Sequence, residues 1–461
     1  MMTTELEAAI HHIEAEMSNV RTCPVFSTLL ILFGAFAFSG CVTAEDFSKE
    51  EVTLVKGPLP TEDEFLEKRL LEEDALGYKS LVKDGVLYED SDLKTYLQDV
   101  AQPFIDALGI GTRRNFIFEV LRNPMINAMA ALGGYIYYYS GVFAWMENDA
   151  QLAFILAHEI SHVYHRDSLY DDLMRKWLAS KTKLADILFY QPMGFSNYGE
   201  VTDSYLDHLY RMSTSGFNQE QEARADLFAV EQMTKLGYDP TQAVAFVEIV
   251  MAEKERYDPR HQKDEVYFYS NHPSNEERKK SLREWIQTHR DLILQSNATQ
   301  LRAKRFLEKT YRMRREDIRL NLEYGRSLHA RDRSMRLLRE NPNDPTTYYY
   351  SGEAHRELLK TVDDLLIQKG GEKWRPITPE EKAGFVRQFQ AASVRAFRKA
   401  IRLDSRYPEP HRGLGLYYMD RKDFEKARVS FKKYLEIIPQ AKDRRSILYY
   451  LKEIEEDVRI P

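Results

Sequence analysis

The stretch His158-Glu159-Ile160-Ser161-His162 combines residue types and spacing that could do chemistry. Four residues make slightly more than one helical turn, so on a helix both imidazoles leave the same face and can reach a single metal ion. Glu159 falls on the neighbouring face, where it can take a proton from a metal-activated water and pass it to a leaving amine without acting as a ligand. A five-residue pattern is short, and two surface histidines on a solvated helix would also produce it. The flanking residues argue otherwise. Ile155, Leu156, Ile160 and Val163 surround the pattern and predict a buried helix, where two histidines and a glutamate without partners would be costly.

A third ligand is available further along the chain. Glu222 opens Glu222-Ala-Arg-Ala-Asp226 on a predicted helix, with Asp226 one turn beyond it. A carboxylate completes a two-histidine, one-glutamate site for one zinc ion per chain and leaves a fourth position for water or substrate. Asp226 could accept the free ring N–H of a ligating histidine and fix its tautomer. Alone, Glu222 would read as a surface glutamate; its weight comes from the combination. The cysteines, Cys23 and Cys41, both lie in or at the end of the first apolar stretch. No thiolate ligand or cysteine nucleophile is therefore available downstream.

The elements that must position these groups can be sketched from periodicity. Thr61-Glu62-Asp63-Glu64 has the form of a capping box at a helix start. Asn115–Leu121 alternates and is rich in aromatics, and Tyr135–Tyr139 follows Gly133-Gly134; both read as strands. The second is expected either to hold a peptide as an added strand at a sheet edge or to be core. Asp149–Tyr164 predicts a buried helix, with further helices around 168–190, 219–236 and 240–255. From about Asn297 the chain is charged and helical. A 34-residue unit beginning at Pro408 places Leu414, Gly415, Tyr418, Ala427, Phe431 and Pro439 where a tetratricopeptide repeat has its signature residues. Phe397 and Ala400 match in the preceding unit, and a degenerate unit lies around Asn341–Pro345 and Gly352, with Thr361–Pro379 as an insertion. In such repeats small residues sit where paired helices touch and aromatic knobs fill the gaps.

The whole chain sets the bounds. Its 461 residues suffice for two or three domains. A net charge of -7 with no basic patch predicts no nucleic-acid partner. The apolar run Pro24–Cys41 is short for a membrane span and ends in small residues, as a signal peptide does. Phe38-Ser39-Gly40-Cys41 resembles a bacterial lipobox, in which the cysteine is lipidated and becomes the mature N-terminus; Arg21 is the positive charge before the run, and either Met1 or Met17 is the start. An uncleaved anchor is the alternative. Val42 follows Cys41 in place of the aspartate that commonly retains lipoproteins in the inner membrane, so the expectation is the periplasmic side of the envelope, lipid-anchored at the outer membrane.

Asn127-Ala-Met-Ala, Gly133-Gly134, the His158–His162 motif, Glu222-x-x-x-Asp226 and His272-Pro273…Arg278 occur in one order along the chain. This order resembles that of the CAAX-prenyl-protease and HtpX-like zinc metallopeptidases, a gluzincin family, and the lipobox and repeats resemble its exported branch. The resemblance implies that His158, His162 and Glu222 bind zinc, that Glu159 is the catalytic base and that Asp226 supports a ligand. It also implies that His272 stands near the metal, steadying an oxyanion or plugging the open position. His165-Arg166-Asp167 departs from the family's usual Arg-His pair. The expected fold is α+β: a mainly helical zincin-type metallopeptidase domain with a small sheet (61–295), followed by an all-α tetratricopeptide-repeat solenoid (296–461). These follow a lipoprotein signal peptide (1–41) and a tether (42–60). The expected function is zinc-dependent endoproteolysis of envelope proteins, with the repeats docking protein substrates or outer-membrane assembly machinery. The alternatives are a non-proteolytic chaperone or assembly-factor lipoprotein acting through its repeats, and a repeat scaffold without metal.

Overall fold

The computed structural model describes residues 61–111, 115–170, 219–256, 275–367 and 375–457. The lipobox with Cys41, the tether, His272 and most of the helix expected at 168–190 lie outside them. Helix α1 (Thr61–Asp84) comes first, and α2 (Ser91–Leu108) follows. The N-cap of α2 is Asp90, whose carboxylate accepts from the backbone N–H groups of Asp92 and Leu93 at 3.0 and 3.1 Å. Its stop is Gly109, at φ 63°, where the missing Cβ makes the left-handed turn inexpensive.

Three strands come next: β1 (Ile117–Leu121), β2 (Ala128–Ala130) and β3 (Tyr135–Tyr139). The expected first and third are present, but their order in space is β1-β3-β2. Strand β3 pairs parallel with β1, Ile117 opposite Tyr135, and antiparallel with β2, Ala130 opposite Ile136. It is the central strand, with both sides of its main chain occupied, so it cannot take a peptide as an added strand. The edge role expected of Tyr135–Tyr139 is corrected. One sheet face, with Phe118, Val120, Ala128, Ala130, Ile136 and Tyr138, joins the main core; on the other, Leu121, Met129 and Tyr137 pack with Leu81 and Leu87.

The short helix α3 (Ser140–Trp145) leads into α4 (Asp149–His165). Helix α4 carries apolar residues on all sides, and Asp149 to Val163 is buried without interruption. A helix apolar all round belongs in a core rather than at a surface. Helices α5 (Gln219–Lys235), α6 (Thr241–Arg256), α7 (Asn275–Thr288) and α8 (Arg290–Gln295) complete this part, and Ala229, Val230, Phe246, Val247 and Leu282 share a core with α4 and the sheet. No described helix is long and apolar enough to cross a membrane.

The rest is helical apart from one small ribbon. Helices α9 (Ala303–Glu323), α10 (Ser327–Glu340), α11 (Pro345–Lys360), α12 (Pro379–Leu403), α13 (Glu409–Met419), α14 (Phe424–Ile437) and α15 (Arg444–Asp457) follow in order. The expected insertion holds a 3-10 turn (Val362–Asp364) and two paired two-residue strands, β4 (Leu366–Ile367) and β5 (Arg375–Pro376). The small residues singled out in the sequence are seats for rings. A Cβ on Gly352 would come within 2.6 Å of the Phe397 ring, and one on Gly413, not singled out in the sequence, within 2.5 Å of the same ring. A Cβ on Gly415 would meet Phe431 at 2.4 Å. Ala400 and Ala427 are fully buried, as close helix packing requires.

Candidate metal centre

Helix α4 has clear ends. Asn148 caps its start, accepting from Gln151 N–H at 3.0 Å. Arg166 ends it in the left-handed region at φ 59°, its backbone N–H shared between the carbonyls of His162 and Val163. Between them, His158 and His162 lie one turn apart, 1% and 2% exposed. Their Nε2 atoms are 3.2 Å apart. Glu222 of α5, fully buried, places one carboxylate oxygen 3.2 Å from His158 Nε2 and the other 3.5 Å from His162 Nε2. One donor atom from each of these residues lies within 4.8 Å of the others. Two nitrogens at a tetrahedral zinc, each at about 2.05 Å, are themselves about 3.3 Å apart. The donor set therefore fits a zinc-sized cation in both chemistry and span.

The other face of each ring is held. His158 Nδ1 is 3.0 Å from Asp226 Oδ1, and His162 Nδ1 is 2.7 Å from Asp167 Oδ2. A carboxylate at Nδ1 accepts the proton there and leaves Nε2 as a lone-pair donor turned toward Glu222. The carboxylates are anchored in turn: Arg278 of α7 pairs with Asp226 through Nε and Nη2 at 2.6 and 2.5 Å, and Arg224 Nη2 donates to Asp167 Oδ1. Each histidine thus heads its own His–Asp–Arg chain.

The electrostatics follow from this enclosure. Burial by itself would lower the pKa of His158, but hydrogen bonds to Asp226 and Glu222 outweigh it and hold the ring at about 10. A cation bound at this point would compete with that proton. Burial also acts on Asp226, yet the charge of Arg278 and the His158 hydrogen bond hold its carboxyl at about 2. Glu159 is 2% exposed. Burial pushes its carboxyl above the ordinary range, with His158 and His162 opposing, a direction that suits a proton acceptor working near neutral pH.

The structure brings together His158, His162, Glu222 and Asp226, with Glu159 buried on the same helix. Asp167 and Arg224 were not singled out in the sequence, and Arg278 appeared there only as part of a pattern. Asp167 falls where the family's usual Arg-His pair is missing. Its one signal was an acidic residue just past the end of a histidine-bearing helix.

Residues 91–286 match the model of peptidase family M48. They form an M48 peptidase domain. This family consists of zinc metallopeptidases. Relatives include the beta-barrel assembly-enhancing protease of Escherichia coli (strain K12), 24% identical over 296 residues, covering 59% of this chain and 55% of that one. They include the mitochondrial metalloendopeptidase OMA1 of Schizosaccharomyces pombe, 23% identical over 220 residues, 48% of this chain and 61% of that one. The chain spans about half the length of the first of these, 55%. Among solved structures, a thermophilic TPR protein of Thermus thermophilus aligns at 19% identity with a TM-score of 0.25, covering 39% of this chain and 79% of that one. The matched residues end before α9.

Proposed function

We propose that this chain is a zinc metalloendopeptidase acting on proteins of the cell envelope. In this reading the M48 domain holds one zinc ion through His158, His162 and Glu222. The observation that carries it is the convergence of two Nε2 atoms and a buried carboxylate, each ring held from behind by its own carboxylate. Zinc supplies Lewis acidity there and lowers the pKa of water toward neutrality. Glu159 takes the proton of the attacking water on its carboxylate and delivers it to the leaving amine. Asp226 and Asp167 keep the Nδ1 protons of the two histidines in place. On the family resemblance, the role assigned to His272 is to steady the oxyanion or to plug the open metal position.

Substrate enters this reading through β2. Tyr139 N–H donates to Asn127 O at 2.9 Å and Ala131 N–H to Tyr135 O at 2.8 Å. Alternation along an antiparallel pair then turns the main-chain groups of Ala128 and Ala130 away from β3; Ala128 N–H already donates to Asn127 Oδ1 at 3.0 Å, so a peptide would pair through the Ala128 carbonyl and Ala130. Their Cβ atoms belong to the core shared with α4, so this edge runs alongside the histidine helix and can take an extended peptide. The repeats from 296 onward dock substrates or an outer-membrane assembly machine, as the relationship to a beta-barrel assembly-enhancing protease suggests, and Cys41 carries the lipid anchor.

The test is Glu159→Gln, which keeps shape and removes no ligand. Bound zinc and casein cleavage are measured on the same preparations, with and without a chelator. Zinc should stay near one per chain while cleavage falls at least about 100-fold. Cleavage equal to wild type would sink the mechanism; no cleavage by either, with intact binding of unfolded protein, would favour the chaperone reading.

A further inference from the structure

A concave groove of about 630 Å³ opens between α10, α11 and α12, well along the chain from the M48 domain. Its lining is uneven in charge. Arg395, Lys399 and Arg402 of α12 all face it, and their spacing of four and three residues puts them in one row on the helix. Among the described residues none of the three is paired with a carboxylate. Lys399 Nζ stands 5.9 Å from the centre of the Tyr348 ring. Across the groove, Arg331 is paired at 2.7 Å with Asp332, the one carboxylate in the lining. Elsewhere arginines and lysines commonly sit in ion pairs, as Arg356 does with Glu353, Glu357 and Asp420. The row makes one wall of the groove locally positive on a chain of net charge -7, a charge pattern complementary to an anionic ligand.

The floor narrows the choice of ligand. Ala392 and Ala396 keep it shallow and apolar, and Met335, 47% exposed, rims it. Along α12 the row spans about 6 Å from Arg395 to Lys399 and about 10 Å from Arg395 to Arg402, at about 1.5 Å per residue. Same-face side chains of an extended peptide repeat about every 6.7 Å, so carboxylates two residues apart match the spacing of Arg395 and Lys399, and a third, two residues further on, lies within reach of the long Arg402 side chain. A single tyrosine gives no series of stacking platforms for bases, and a concave wall does not match a flat bilayer.

We propose that this groove binds an extended acidic segment of a protein, with two or three carboxylates within about five residues and small apolar side chains between them. Arg395, Lys399 and Arg402 hold its carboxylates, and Ala392, Ala396 and Met335 take its apolar side chains. The assignment goes beyond the catalytic reading and does not depend on it.

The experiment is fluorescence anisotropy with the full chain in chelator, so that cleavage plays no part. The probes are a labelled peptide alternating aspartate or glutamate with alanine and valine, and the same peptide with lysine at each acidic position. Binding of the acidic peptide alone is expected, weakening as salt rises. The triple variant Arg395→Glu, Lys399→Glu, Arg402→Glu should weaken it at least about tenfold. The same reversal at exposed Lys304, Lys309 and Lys432 should leave it unchanged. Replacing the three groove cations by glutamine covers the case in which the reversed chain fails to fold, and should weaken binding at least about threefold. Equal affinity for both peptides, or equal loss in the control triple, would overturn the assignment. Tighter binding of a single-stranded RNA of matched charge, or of vesicles rich in anionic lipid, would overturn it in favour of a general polyanion surface.

Discussion

Arg278 holds Asp226 by two hydrogen bonds, Nε to Oδ2 at 2.6 Å and Nη2 to Oδ1 at 2.5 Å. Both side chains are almost fully buried, at 1% and 3% exposed. The planar guanidinium fixes the carboxylate in orientation as well as position, and the carboxylate in turn fixes His158. An arginine of α7 thereby controls which nitrogen of an α4 histidine points at Glu222. Asp167 and Arg224 perform the same task for His162 from the other side of the site.

Asp226→Asn should leave the chain folded but weaken metal retention by about 10- to 100-fold, the usual effect of losing a carboxylate behind a ligating histidine. Asp167→Asn should do the same through His162. Arg278→Lys, which keeps the charge but not the fork, should cost less. Competition for zinc with a chromophoric chelator measures all three, and unchanged affinity in both asparagine variants would show that neither carboxylate tunes its ring.

Arg333 ties the helices after the M48 domain to residues within it. It reaches Asp317 of α9, Glu253 of α6 at 3.1 Å and the carbonyl of Pro124 at 3.2 Å. Asp317 also accepts from Ser140 Oγ at 2.9 Å. Replacing Arg333 by methionine leaves Asp317 and Glu253 buried without their shared cation, a loss of about 3–5 kcal/mol. Urea unfolding should show it as a lower midpoint with the slope unchanged; stability equal to wild type would mean the cluster is not coupled to folding.

The glycine seats make a paired prediction. Gly415→Ala drives a methyl group into the Phe431 ring and should cost about 1–3 kcal/mol. Gly384→Ala, where a Cβ meets nothing within 4 Å, lies inside α12 and should instead stabilise by about 0.5–1 kcal/mol. Thermal melts of the two variants should move in opposite directions, and a shift of the same sign would contradict the ring-seat account.

Acid should weaken the chain partly through Asp344, the N-cap of α11. Burial would raise its pKa, but hydrogen bonds from Thr347 and Tyr311, both at 2.6 Å, and the nearby Arg315 hold it below the ordinary 3.8. Folding therefore favours the ionised form. That contribution is complete above pH 3.8 and is lost as pH falls through the lower folded value. Asp344→Asn, which keeps the cap but replaces the oxygen that accepts from Thr347 and Tyr311 with an amide nitrogen, should flatten the stability curve in that acid window and cost about 1 kcal/mol near neutrality. An unchanged acid slope would assign the effect to other carboxylates.

Much was legible in the sequence because it rests on local spacing. Four-residue separation on a helix puts His158 and His162 on one side, and Glu222 and Asp226 obey the same rule on α5. The apolar residues around the motif announced a buried helix, and α4 runs Asp149–His165 against an expected Asp149–Tyr164. The glycines and phenylalanines of the repeats were readable because a ring and its seat recur at fixed intervals. Strand β2 was not, since Ala128-Met129-Ala130 carries little strand preference and is held by pairing with β3. Only the tertiary structure decided that β3 is central and β2 an edge, because strand order depends on long-range pairing and not on the strand's own residues. It alone decided that Asp167, just past a left-handed turn at Arg166, folds back onto His162, and that Arg278, 52 residues beyond Asp226 in the chain, closes the chain of contacts behind His158. Residue types and helical spacing determined what could bind; the packing of separate helices determined which atoms face the binding point.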